Sequence, residues 1–113
     1  MKIALLGYGK MGKVIEQIAL ERGHEIVLRK DQDISFDGLQ LADVAIDFSV
    51  PNSAAVNITA CLNNGIPVIS GTTGWLVNYQ KMVDLCEAKQ GGFIYASNFS
   101  LGVNVFFELN EYL

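Results

Sequence analysis

A four-residue apolar run, Ile3-Ala4-Leu5-Leu6, passes without a spacer into Gly7-Tyr8-Gly9-Lys10-Met11-Gly12, and this junction limits the possible folds more than any other stretch. A G-x-G-x-x-G pattern alone is weak, because turns use glycine freely. Set between a short buried strand and an amphipathic helix, it becomes the fingerprint of a dinucleotide-binding βαβ unit. Gly7 lets the chain turn sharply off the strand, Gly9 removes a side chain where a pyrophosphate must approach the backbone, and Gly12 lets the helix pack close to the sheet. Free N–H groups at the positive end of the helix then face the phosphates. Met11, Val14, Ile15, Ile18 and Ala19 recur at helical spacing, Glu16, Gln17, Glu21 and Arg22 take the other face, and Gly23 is placed to stop the helix. A tight strand-to-helix turn that binds nothing is the plainer alternative.

The 113 residues, half of them apolar and 18 % charged, suit one globular domain with a packed core. A net charge of -4 without a Lys/Arg cluster argues against a nucleic-acid surface. No apolar stretch approaches the ~18 residues that span a bilayer, and the N-terminus does not read as a secretory leader, so a cytoplasmic protein without a membrane partner is expected. Cys61 and Cys86 lie in apolar helical patterns with no second Cys or His at ligand spacing; buried thiols are expected, and neither a disulfide nor a metal site.

Beyond the first helix, His24 to Arg29 reads as a second strand. His24 begins it, at the edge of the sheet remote from any ligand crevice, and is given no catalytic role. Asp31 lies 19 residues past Gly12, close to the ~20 at which an acidic residue meets the adenosine ribose. Arg29 and Lys30 compete for that post, since a nearby cation accommodates the 2′-phosphate of NADP; solvated charges at a strand end are an equal alternative. Asp31 to Leu41 is polar and irregular, with a turn at Gly38. A third strand covers Ala42 to Phe48, and a helix starting near Pro51 carries Ala54, Ala55, Ile58 and Leu62 before Asn63-Asn64-Gly65 ends it. Ile66 to Ser70 is a fourth strand; Tyr79, Met82, Val83 and Cys86 mark another helix, closed by Gly91-Gly92. Phe93 to Ala96 is a fifth strand, followed by an apolar helix through Phe106, Phe107 and Leu109. Short strands alternating with helices predict an α/β fold: a Rossmann-like, doubly wound parallel sheet of about five strands.

Ligands of such sheets bind at the carboxyl ends of the strands. There, Gly71-Thr72-Thr73-Gly74 offers two hydroxyls and backbone amides suited to a carboxamide or carboxylate, and Ala96-Ser97-Asn98-Phe99 adds an amide and an aromatic face. Either loop taken singly is also what turn chemistry uses. No general acid or base can be named in the chain, so no residue is assigned as catalytic.

Four motifs in order, Gly7-Tyr8-Gly9-Lys10-Met11-Gly12, Asp47-Phe48-Ser49, Gly71-Thr72-Thr73-Gly74 and Ser97-Asn98-Phe99-Ser100-Leu101-Gly102-Val103-Asn104, make the chain resemble the dihydrodipicolinate reductases over essentially its whole length. The resemblance implies that Gly7 to Met11 wrap the pyrophosphate of a nicotinamide cofactor and that Asp31 holds the adenosine ribose. It also implies that Gly71, Thr72 and Thr73 with Ala96, Ser97, Asn98 and Phe99 surround the nicotinamide, Thr73 touching the substrate too. The family often has an arginine after the acidic residue to take the NADP phosphate; here Gln32 follows Asp31, which favours NADH or dual use of NADH and NADPH. The family's histidine pair and lysine, within a H-H-x-x-K-like stretch of a second domain, have no counterpart in these residues. The chain is therefore expected to be the cofactor domain of a longer, homo-oligomeric enzyme that transfers hydride to a cyclic imine dicarboxylate, a small-molecule substrate, in lysine and diaminopimelate biosynthesis. A module that senses NAD(H) without chemistry is the alternative from another class. Ending at Leu113 within an apolar helical pattern, the chain is also expected to leave surface around Phe106, Phe107, Leu109 and Tyr112 uncovered.

Overall fold

The apolar run becomes β1 (Lys2–Leu6), and Ile3, Ala4, Leu5 and Leu6 are all buried, as a strand covered on both faces requires. A computed structural model describes residues 1–31, 35–72 and 74–95. After β1 come α1 (Lys10–Glu21), β2 (Glu25–Lys30), a short 3-10 turn at Leu39–Leu41, β3 (Val44–Asp47), α2 (Pro51–Asn63), β4 (Val68–Ser70), a second 3-10 turn at Leu76–Asn78, α3 (Tyr79–Lys89) and β5 (Phe93–Tyr95). The five strands form one parallel sheet in the order β2-β1-β3-β4-β5. From β1 the chain steps outward to β2, and from β3 it steps the other way through β4 to β5. The strand order therefore reverses between β1 and β3.

That reversal puts helices on both faces. Ile15 and Ala19 of α1 pack with Ile3, Leu5, Ile26, Val44, Ile46 and Ile69 on one side. On the other, Ala54, Ile58, Cys61 and Leu62 of α2 and Met82 of α3 pack with Ala4, Leu6, Ala45, Val68 and Trp75. The expected stripe of α1 is narrower than its apolar residues suggest: Gly12, Ile15 and Ala19 are buried, whereas Met11 and Val14 are exposed at the helix start. A register shift opposite Ile3 and Ala4 brings Val27 and Leu28 onto the α2 side together. Beyond it, Arg29 falls on the α1 side and Lys30 on the other.

Strand ends differ by one or two residues from expectation, as at β3, where Ala42 and Asp43 lead in and Phe48 leads out. The sheet contacts of α3 are anchored by a residue without a part in the expected pattern. Trp75 is fully buried, its ring edge-on to Tyr95 at 5.5 Å and tilted against Tyr79 and Phe93 at 6.0 Å. His24, nearly buried before β2, lies at the amino ends of the strands, 2.9 Å from the Met1 amino group through Nδ1; burial, more than the nearby positive charges, lowers its pKa. Cys61 is buried as expected, and burial together with the nearby Asp47 pushes its thiol up to about 12. Cys86 is only half-buried and donates to the Gly91 carbonyl at 3.2 Å.

The glycines after α3 do not end it in the expected way. Gln90, not Gly91, takes the left-handed conformation at φ 53°, and Gly91 N–H closes the turn on the Cys86 carbonyl at 2.9 Å. Gly91 and Gly92 instead pack closely: a Cβ on them would stand 2.9 Å from a terminal methyl of Leu62 and 3.2 Å from Pro67. Left-handed backbone costs a non-glycine residue about 1 kcal/mol. Gln90→Gly is therefore expected to raise stability by ~1 kcal/mol in urea unfolding, and an unchanged midpoint would show that Gln90 is held there without strain. Among the described residues no helix is long and apolar enough to cross a membrane. The expected last helix, with Phe106, Phe107, Leu109 and Tyr112, lies outside the described residues.

Candidate functional site

The carboxyl ends of β1 and β3 meet at the point where the strand order reverses, which is where open α/β sheets bind ligands. Three glycines of the first loop differ in what surrounds them. Gly7 has φ +106°, and a Cβ on it would lie 2.2 Å from the Phe48 carbonyl oxygen; only glycine lets the loops after β1 and β3 come together. At Gly12 a Cβ would lie 2.4 Å from the Gly7 carbonyl oxygen, so the helix could not seat as closely on the loop. At Gly9 a Cβ would meet nothing within 4 Å, and its φ of -86° is ordinary. The protein's own packing thus explains two glycines and leaves open space at the third.

Gly9 is also the N-cap of α1, and no side chain caps that end. No acidic residue occupies the first turn; Lys10 and Lys13 stand there, both exposed, with the Lys13 ammonium 5.7 Å from the Tyr8 ring centre. Cations at the positive end of a helix are unfavourable unless an anion joins them. The Gly7 N–H donates to the Lys30 carbonyl at 2.7 Å, tying the loop to the end of β2. Asp31, the next residue, is exposed there. Of the two cations at this strand end, Arg29 is exposed but paired, and Lys30 is not solvated. Arg29 pairs with Glu16 of α1, whose carboxylate also accepts the Tyr8 hydroxyl. Lys30 is buried, its ammonium 4.8 Å over the Phe36 ring.

A buried carboxylate organises the other side of the crevice. Asp47, the last residue of β3, has no solvent exposure. One oxygen accepts Ser49 Oγ at 2.6 Å and Asn57 Nδ2 at 2.9 Å; the other accepts Ser70 Oγ at 2.7 Å and Thr72 Oγ1 at 2.9 Å. Ser49 N–H then donates to Thr72 Oγ1 at 2.8 Å. Four donors from β3, α2 and β4 with their loops thus converge on one side chain. The Trp75 indole N–H donates to the Thr72 carbonyl at 2.6 Å, fixing the next loop from behind. Gly71 admits the Phe48 ring, since a Cβ there would lie 2.0 Å from a ring carbon.

Thr72 therefore does not present a hydroxyl to the crevice as its motif suggests: the group is buried and engaged by Asp47 and Ser49, which leaves its main chain. Gly71 is half-exposed beside it. Gly7, Tyr8, Gly9, Lys10, Met11 and Gly12 are brought together with Asp31 on one side of the crevice, and Gly71 and Thr72 stand across it. Thr73, Ala96, Ser97, Asn98 and Phe99 lie outside the described residues. The motifs assign no role to Asp47, Asn57 or Trp75. Asn57 did carry a signal, because Ala54, Asn57, Ile58, Cys61 and Leu62 form the buried stripe of α2 and a polar residue there needs a partner.

A parallel sheet with helices on both faces, a strand reversal and a glycine loop meeting an uncapped helix define a Rossmann-like nucleotide-binding domain. The family model described as dihydrodipicolinate reductase, N-terminus, matches residues 1–99, and the chain belongs to that family. It is 58 % identical to the 4-hydroxy-tetrahydrodipicolinate reductase of Christiangramia forsetii over its whole length and 48 % of that protein. It is 47 % identical to the enzyme of the same name from Xanthomonas campestris pv. campestris over 66 % of the chain and 31 % of that protein. The chain thus spans half or less of the length of these relatives. Among solved structures, a hyperthermophilic archaeal homoserine dehydrogenase in complex with NADPH superposes with a TM-score of 0.64 at 15 % identity, over 83 % of this chain and 43 % of that one. Aspartate semialdehyde dehydrogenase II from Vibrio cholerae gives 0.60 at 14 % identity, over 83 % and 37 %. At these identities the likeness establishes the fold alone.

Proposed function

We propose that the chain is the NAD(P)H-binding domain of a 4-hydroxy-tetrahydrodipicolinate reductase, and the observation that carries this reading is the open space at Gly9. A glycine that packing does not require, at a helix end without a side-chain cap and beside two lysines, is accounted for by a pyrophosphate approaching the backbone. The residues present fit such a group. The loop from Gly7 to Met11, including Tyr8, Gly9 and Lys10, wraps the phosphates with its main-chain N–H groups beyond that of Gly7, which stays on the Lys30 carbonyl; Gly12 seats the helix, and Asp31 accepts the ribose hydroxyls. Gly71 and Thr72, through their main chain, face the nicotinamide end with Thr73 and Ala96 to Phe99, and Thr73 adds a contact to substrate. The bound dinucleotide supplies the hydride for a cyclic imine dicarboxylate of lysine and diaminopimelate biosynthesis. Proton donation and carboxylate binding fall to the part of the relatives that this chain does not span.

Titrating the chain with NADH and NADPH, following nicotinamide fluorescence, tests the reading. Both dinucleotides are expected to bind, NADH the more tightly, because a carboxylate at Asp31 repels a 2′-phosphate. Two unit charges ~4 Å apart at an effective dielectric of ~20 interact by ~4 kcal/mol, which exposure of Asp31 to water reduces. Asp31→Ala is expected to move the affinity ratio toward NADPH by about tenfold. An unmoved ratio would take the ribose contact away from Asp31, and failure of both dinucleotides to bind would overturn the proposal.

A further inference from the structure

Glu16 stands in the second turn of α1, and its carboxylate holds two groups at once. Oε2 accepts the hydroxyl of Tyr8, a residue of the glycine loop, and Oε1 pairs with Nε of Arg29, the penultimate residue of β2. Arg29 is thereby held against α1 at the margin of the loop, two positions before Asp31. Its side chain is 43 % exposed whereas that of Glu16 is 14 % exposed, so the guanidinium has water on one side and room to leave. The neighbouring cation has no such freedom: Lys30 is buried on the opposite face of the sheet with its ammonium over Phe36.

We infer that Glu16 is a specificity-determining residue, which withholds Arg29 from the 2′-phosphate of NADP and so biases the site toward NADH. The inference rests on the dinucleotide reading above and adds to it a residue outside the glycine motif. An arginine near the ribose would ordinarily favour NADP, because its planar fork matches a phosphate bidentately. Here Nε of that guanidinium is engaged by a carboxylate of its own chain before any ligand arrives, which holds the group against α1. To leave α1 and turn its fork toward a phosphate beside Asp31 it must give up that pair, and Asp31 opposes the phosphate as well. The Tyr8 hydroxyl, and after it Arg29, hold the Glu16 carboxyl below its ordinary range, so the restraint persists at neutral pH. Glutamine at this position keeps the shape and still accepts the Tyr8 hydroxyl, but it loses the charge that retains Arg29.

The test is the affinity of NADH and of NADPH for the chain, for Glu16→Gln and for the double variant Glu16→Gln/Arg29→Gln, at low ionic strength. Glu16→Gln is expected to tighten NADPH by about tenfold and to change NADH by less than about threefold. The double variant is expected to lose that gain, which a general loosening of the loop would not reproduce. Glu16→Ala, at a site where a helix tolerates alanine, is the second variant and should shift the ratio in the same direction should glutamine disturb folding. An unchanged ratio in the folded single variants, with both dinucleotides bound, would overturn the inference and leave the dinucleotide reading standing. Absence of binding to the unaltered chain would overturn both.

Discussion

Asp47→Ala is expected to lose about 4 kcal/mol of folding stability, a large share of the ~5–15 kcal/mol total of a domain. The reason is the number of groups it abandons. Ser49, Asn57, Ser70 and Thr72 all donate to this one buried side chain. A buried donor without an acceptor costs about 1–3 kcal/mol, and alanine takes the acceptor from all four, leaving Asn57, Thr72 and Ser49 only longer contacts at 3.2, 3.4 and 3.4 Å, around a cavity. Asp47→Asn keeps one acceptor oxygen but turns an amide toward donors, so it should fall between the two. Urea unfolding of the three proteins checks this; a loss below ~1 kcal/mol in the alanine variant would mean that water enters and satisfies the donors.

Gly7→Ala is the second change with a large expected effect. A methyl group there would stand 2.2 Å from a main-chain oxygen, and main chain cannot turn aside as a side chain can. The left-handed φ adds its own penalty of ~1–2 kcal/mol. Together they should cost about 3 kcal/mol or more and push the loops after β1 and β3 apart, lowering the urea midpoint accordingly. A variant as stable as the parent would mean that the two loops do not meet at the crevice as described.

What could be read from the chain before its structure was the part coded locally. The switch from a buried strand to helical spacing around Gly7 to Gly12 announces the first βα unit, and the repeated alternation announces the sheet. The Asp47 cluster could not be read that way. Its partners lie 2, 10, 23 and 25 residues off, and they meet only because parallel pairing of β3 with β4 aligns Asp47 with Ser70. The Thr72 hydroxyl looked available for the same reason: nothing nearby in sequence shows that a carboxylate lies behind it. The ion pair of Arg29 is equally hidden in the sequence, because Glu16 is brought beside it only by packing of α1 on the sheet. At the end of α3 the difference runs the opposite way, since Gly91-Gly92 supply a plain stop signal while Gln90 takes the left-handed position and the glycines pack against Leu62 and Pro67.

The central claim is that the space at Gly9 belongs to a dinucleotide, and Gly9→Val tests it most directly. Stability should fall by no more than ~1 kcal/mol, the cost of replacing a good N-cap residue by a poor one, because the added side chain meets no protein atom near its Cβ. Affinity for NADH, measured on the same folded sample by fluorescence titration, should fall by about a hundredfold, corresponding to ~3 kcal/mol. A folded Gly9→Val protein that binds NADH as tightly as the parent would contradict the account.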